Sequence, residues 1–382
     1  MRTRLFVGLS GLLGLFFLWG SLSLAADVVK VGAMGPMTGG AAIVGTDMLR
    51  GMQVGAKEVN DRGGVKVGGK SYKVEIIDMD DGAVVANAVA NARRLATLHK
   101  VPAVVGPPLS SPALAVLEFN DKKPTEFLMV TMAMHPDLVK RGNKLIVRTN
   151  TPTVDVGKQL SSGSFKLKKL KTAAIIYHTD DWGTTWKEGL TEGTTMAGGK
   201  IIATEGIDER KQTDFYPQLT KIVGMNPDAI FMIAHDSVTM MMIKQAREIG
   251  YKGRMVFSEG FHEPYRNQVM DKIEGCLSVA GPMDFMTPAA ERYIDLFKKL
   301  FPNEVHQAYG GLGNDEFRII IYAMEKAQSV DDPYKIRAAV PSILPIPHTI
   351  FPIQKCFENG QAPYDYLIGE IKNGKFIVAE AE

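Results

Sequence analysis

One octapeptide has the spelling of a phosphate-binding loop: Gly64-Val65-Lys66-Val67-Gly68-Gly69-Lys70-Ser71. That chemistry needs a strand before the loop and a helix after it, so that backbone N–H groups and a helix terminus face the phosphates. Here the periodicity predicts a helix before it, over 46–60, and a strand after it, over 72–78. The context is inverted, and nucleotide binding is not expected. The seven histidines are scattered, and no HExxH, CxxC, G-x-S-x-G or G-x-G-x-x-G occurs. With no constellation for nucleophilic, metal or acid–base catalysis, the chain is expected to be neither an enzyme nor a cofactor or metal carrier. Cys276 and Cys356 have no CxxC partner and form either one structural bridge or two buried thiols.

Composition bounds the class. The 382 residues are 45% hydrophobic and 23% charged, an ordinary globular balance. That length exceeds a single compact core, so two lobes are the default. Arg2 and Arg4 precede an almost wholly apolar run over 5–24, which closes on Ser23-Leu24-Ala25 with small residues where a cleavage site needs them. Residues 1–25 are therefore expected to be a signal peptide, removed on export to the periplasm. An uncleaved anchor is the alternative, because the run approaches spanning length. Cleavage removes two of 44 basic side chains and no acid, leaving 42 against 42. A neutral chain has no electrostatic pull on nucleic acid or an anionic membrane.

The elements that must position any site come in two series. Strands are predicted at 28–33, 72–78, 103–105 and 127–131, with helices at 46–60, 83–98 and 112–120. The alternation restarts with strands at 173–177, 200–203, 229–233 and 255–258 and helices at 184–196, 215–223 and 238–249. Helices at 289–300 and 315–329 follow. A Pro-rich stretch over 341–352 ends them, and a β-like tail turns at Asn359-Gly360. Such βα series predict an α/β protein with two doubly wound parallel-sheet lobes.

Particular stretches go further. They are Val31-Gly-Ala-Met-Gly-Pro-Met-Thr-Gly39, Glu58-Val-Asn-Asp-Arg-Gly-Gly64, Val104-Val-Gly106 with Ser110-Ser111, and Pro136-Asp-Leu138. Asp180-Asp-Trp-Gly183, Pro227-Asp-Ala229, Gln245-Ala-Arg247 with Gly250, and Ser258-Glu-Gly260 continue the order. In this order the chain resembles the substrate-binding proteins of branched-chain amino acid ABC transporters, the leucine/isoleucine/valine group with the type I periplasmic binding fold. The resemblance implies three hinge crossovers, near 148–152, 280–282 and 349–352. Residues 26–150 plus 282–350 would form one lobe and 151–281 plus 351–382 the other. It also implies a small solute held between them, a monomer, and a membrane permease as partner. A ligand sensor of the same fold is the competing class; an extracytoplasmic enzyme is a third.

Site residues follow individually. The family's cleft serine aligns with Ser110, while Ser111-Pro112 reads as a helix N-cap and first helical residue, a terminus suited to a carboxylate. The ammonium-binding glutamate aligns with Glu259, which follows a strand and so points into a ligand crevice. The family's cleft aromatics align with Val44, Trp182, His235 and Tyr309, and Trp182 is expected to stack on the solute. The family's carboxylate-binding threonine is missing: the segment 130–136 is shorter and places Ala133, Met134 or His135 there. Met132 and the run 240–242 are further candidates to line a pliable pocket. The family's amino-lobe disulfide is absent, since Gly82 and Leu109 stand at its positions. A simple aliphatic amino acid is thus a doubtful solute.

Overall fold

The computed structural model describes residues 27–209, 211–259 and 261–382. The expected signal peptide lies outside them. No helix among the described residues is long and apolar enough to cross a membrane.

The first series gives strands β1 (Asp27–Gly35), β2 (Val65–Val67), β3 (Lys70–Asp80), β4 (Ala103–Val105), β5 (Leu128–Thr131) and β6 (Ile146–Arg148). They make a six-stranded sheet in the order β2-β3-β1-β4-β5-β6, parallel except for β2. Helices α1 (Ala42–Asp61), α2 (Val85–Thr97) and α3 (Ser110–Leu117) cover it. Every residue of β5 is buried, which follows from helices on both faces.

After β6 the chain enters the second series. Helix α4 (Thr153–Leu167) leads into β7 (Thr172–His178), α5 (Asp181–Met196), β8 (Lys200–Ile207), α6 (Tyr216–Gly224), β9 (Ala229–Ile233) and α7 (Asp236–Glu248). Then come β10 (Arg254–Phe257), the single-turn α8 (Glu263–Arg266) and β11 (Leu277–Ala280). The chain returns with α9 (Pro288–Leu300), α10 (Ala308–Ala327) and α11 (Pro333–Ile343), and ends in β12 (Leu367–Lys372) and β13 (Lys375–Val378). The second sheet runs β13-β12-β11-β10-β9-β7-β8, with β12 and β13 antiparallel. The two-lobed α/β expectation holds, but each sheet is mixed at one edge rather than wholly parallel.

Other differences have local causes. The β-like tail pairs at Asn373-Gly374, both residues at positive φ as a two-residue hairpin turn demands. The Asn359-Gly360 turn instead brings Gln361 beside Arg148 in an isolated bridge. Pro341 does not end its helix, which continues to Ile343. Helix α3 begins at Ser110, two residues before Pro112, with no side chain capping it. Cys276 and Cys356 are two buried thiols without a bridge.

Helix α10 ties the first sheet's helices to the crossovers. It packs on α1, where Asp47 accepts N–H bonds from Gln307 and Gly310 and Asn314 donates to the Gly51 carbonyl at 3.1 Å. Buried nearly all round, it still carries Asp315 and Glu316. The Asp315 carboxylate accepts the Ile350 and Phe351 N–H groups at 2.8 Å each, and Glu316 accepts the Thr149 hydroxyl at 2.6 Å. Burial pushes these carboxyls up to about 7 and about 8.

Gly51 faces the Gly310 backbone so closely that a Cβ would collide with its carbonyl. Gly51→Ala must therefore part α1 from α10. A loss of about 1–3 kcal/mol is expected, read as a lower urea midpoint.

Candidate functional site

In a doubly wound sheet, the loops leaving neighbouring strands on either side of the reversal in strand order diverge and leave a crevice. The first sheet reverses between β1 and β4, the second between β7 and β9. The loops after β4, β7, β9 and β10 deliver Ser110, Trp182, His235 and Glu259 respectively to one cavity between the sheets. It holds about 820 Å³, including its mouth.

Ser110 is buried, and its hydroxyl has no partner among the described residues. It opens α3, so uncapped N–H groups lie beside it. Glu259 accepts the Trp182 indole N–H at 3.0 Å through Oε1, while its Oε2 is shut from solvent and has no partner among the described residues. Burial raises the Glu259 carboxyl; the indole bond and the positive fields of His235 and His262 offset part of this.

Trp182, expected to stack on the solute, has one face of its ring already covered. His235 stacks on one face at 4.5 Å, and Trp186 meets it edge-on. The His235 ring lies 2.7 Å from Glu209, whose other oxygen accepts the His235 backbone N–H. Burial opposes charge on this imidazole, but Glu209 dominates through charge and hydrogen bond and lifts His235 to about 9. The same pairing outweighs burial at Glu209 and holds it at about 2. His235 is thus an imidazolium already partnered outside the cavity, lying flat on an indole.

Tyr309, on α10, reaches the cavity from the first lobe and contacts the His262 ring at 4.6 Å. Val44, Met132 and Met134 also line the cavity. Ala133 is buried off the lining, its N–H held by the Thr131 hydroxyl. Ser111 points elsewhere: it donates to Asp181 at 2.6 Å, a direct bond from α3 to α5. His135 caps a short helical turn by accepting the Asp137 N–H. Met242 belongs to the core of the second sheet.

Among the lining residues that escaped the sequence reading are His262, Asn150, Tyr364 and Tyr366. His262 follows Glu259 and bonds Asp236. Asn150 follows β6, and Tyr364 and Tyr366 precede β12. The alternation Tyr364-Asp365-Tyr366 in an extended segment places both rings on one side, a signal that was available. Among the described residues, no group of three or more His, Cys, Asp or Glu could hold a metal.

Two mixed α/β lobes with a cavity at their facing crevices define a solute-binding protein. Residues 28–375 match the family described as periplasmic binding protein, and the chain belongs to it. It is similar to the Leu/Ile/Val-binding protein of Escherichia coli (strain K12), 24% identical over 292 residues, 76% of this chain and 77% of that one. The amino acid binding protein of Pseudomonas aeruginosa is 28% identical over 240 residues, 62% of this chain and 61% of that one. Two solved structures share the fold with TM-scores of 0.80, each covering 93% of this chain. One is a leucine-binding protein, LivK, from Thermotoga maritima, 24% identical with 99% of it covered. The other is a solute-binding protein of R. palustris in complex with benzoate, 17% identical with 96% covered. The resemblance to the leucine/isoleucine/valine group holds, and the family is one of binding proteins rather than enzymes.

The His235–Glu209 pair has a definite pH window. The raised imidazole contributes stability in full below its ordinary 6.5 and loses it as pH rises through about 9. The lowered carboxyl contributes in full above its ordinary 4.5 and loses it as pH falls through about 2. His235→Gln is expected to cost about 1.5–3 kcal/mol near pH 6 and much less near pH 10. Urea unfolding of both proteins at the two pH values checks it.

Proposed function

We propose that the protein captures a small amine-bearing organic acid, an amino acid with a bulky apolar or aromatic side chain, and delivers it to the permease of an ABC transporter. One observation carries the reading. Ser110 Oγ and Glu259 Oε2 are both closed off from water, both lack a partner among the described residues, and they face one cavity from opposite sheets. Buried polar groups left unpaired are costly, and a zwitterion supplies both partners: its carboxylate goes to Ser110 and the α3 terminus, its ammonium to Glu259. The rings of Phe261, Tyr309 and Phe351 suit the apolar part. The R. palustris neighbour with benzoate favours a second reading, a flat aromatic acid without an amine. Glu259 argues against it, because an acid without a donor leaves Oε2 unsatisfied.

Transport in place of sensing, the lobe boundaries at the three crossovers, and export with cleavage after Ala25 belong to the same proposal. The names of the curated relatives, Leu/Ile/Val-binding and amino acid binding proteins, support it.

Mass spectrometry of the solute retained by purified protein is the deciding experiment. An unchanged amine-bearing acid is expected; a product accumulating with time would make the protein an enzyme. Glu259→Ala should weaken that solute by about 2–5 kcal/mol, roughly 30-fold to several-thousand-fold. Ser110→Ala should cost about 0.5–2 kcal/mol, because the backbone N–H groups remain. Undiminished affinity in Glu259→Ala would remove the assigned role, and nanomolar binding of leucine would remove the preference for a bulkier side chain. Amino-terminal sequencing of protein expressed with its leader should read from Ala26; Met1 on membrane-bound material would overturn export.

A further inference from the structure

Asn150, Tyr366 and Tyr364 form a hydrogen-bond chain whose direction is fixed by a backbone carbonyl. The Asn150 amide lies 2.8 Å from the Met132 oxygen, which can only accept, so the amide nitrogen faces it. The amide oxygen then faces the Tyr366 hydroxyl at 3.0 Å and accepts its only hydrogen. The Tyr366 oxygen must in turn accept from Tyr364, 2.6 Å away. Tyr364 has no hydrogen left to offer. All three side chains line the cavity and are buried. Thr151 holds the Tyr364 carbonyl at 2.6 Å and Gln159 the Tyr366 carbonyl at 3.2 Å, so the segment is anchored at both rings.

We propose that this relay makes Tyr364 an obligate hydrogen-bond acceptor in the cavity wall, so that the site selects solutes bearing an N–H donor over isosteres bearing an acceptor at the same atom. The inference rests on the amine-bearing solute proposed above, and it assigns part of the selection to residues that no charge identifies. Glu259 is near enough for its field to reach both phenols: burial raises each first, and Glu259 adds to it. Glu259 and the acceptor of the relay line the same cavity. Tyr364 is the residue in contact with solute; Tyr366 and Asn150 are positioning residues.

L-phenylalanine and phenylpyruvate test the relay, because they share a carbon skeleton and differ by an ammonium or a keto oxygen on one carbon. Calorimetry near pH 7 with the full chain should show the wild type binding phenylalanine at least about tenfold more tightly. Tyr364→Phe should lower phenylalanine affinity about tenfold and leave phenylpyruvate within about twofold. Tyr366→Phe removes the acceptor for the Tyr364 hydrogen, which can then turn to the cavity. Phenylpyruvate should tighten, and the ratio between the probes should narrow by about tenfold. Either variant alone decides the matter through that ratio. Equal losses for both probes would mean mere packing and overturn the relay, as would a wild type that prefers phenylpyruvate. Binding of neither probe overturns the relay alone, since the retained solute tests the receptor role separately.

Discussion

The cavity exists in its present shape because two chain segments, one after β6 and one before β12, are laced to each other. The Arg148 N–H donates to the Gly360 carbonyl and the Ala362 N–H to the Arg148 carbonyl, both at 2.8 Å. The Arg148 guanidinium reaches the Gln361 side-chain oxygen and the His135 carbonyl, and Gln361 donates back to the Asn150 carbonyl. All of its acceptors are neutral, and burial lowers this arginine to about 10, so it stays charged at neutral pH. A planar guanidinium can do this with neutral oxygens, because its fork satisfies several carbonyls at once. Removing the guanidinium would strip the side-chain ties from this lacing and leave its backbone bonds, together with the Gln361–Asn150 and Thr151–Tyr364 bonds, to hold 149–152 against 360–364.

The same economy of partners shapes the cavity's charge. His235 is matched by Glu209, His262 by Asp236, and Asp284 by Arg266. Each pair balances its charge without a solute. Glu259 has a neutral indole for company instead. A wall in which other charges are matched and one carboxylate is half-satisfied discriminates by what is missing rather than by bulk.

Much of this was legible in the sequence, for identifiable reasons. The βα alternation is a periodic signal, and the central strands it marked are buried on both faces as such runs require. Ser110, Trp182, His235, Tyr309 and Met134 were reachable through the family resemblance, and Glu259 also because it follows a strand end. Ser111 and Ala133 were drawn in by adjacency, yet neighbouring residues at a helix start or along a strand point different ways, and both turn from the cavity. Asn150 sits in a segment with no periodicity to flag it, and Tyr364 and Tyr366 offered only a two-residue alternation. Their roles depend on a bond from residue 132 to residue 150 to residue 366, a long-range fact that local pattern does not hold. The Asn359-Gly360 turn was read locally as part of a β-like tail, where the structure uses it for lacing.

Trp182 and Trp186 are the tryptophans of the described chain, and they touch each other at the cavity wall. One of them carries a protonated imidazole on its face and a carboxylate on its N–H. An excited indole gives up its energy readily to a stacked imidazolium, and its emission colour follows the polarity around the ring. The protein therefore carries a built-in optical gauge: any event that shifts His235 or Glu259 by a fraction of an ångström is written into its intrinsic fluorescence, with no label added.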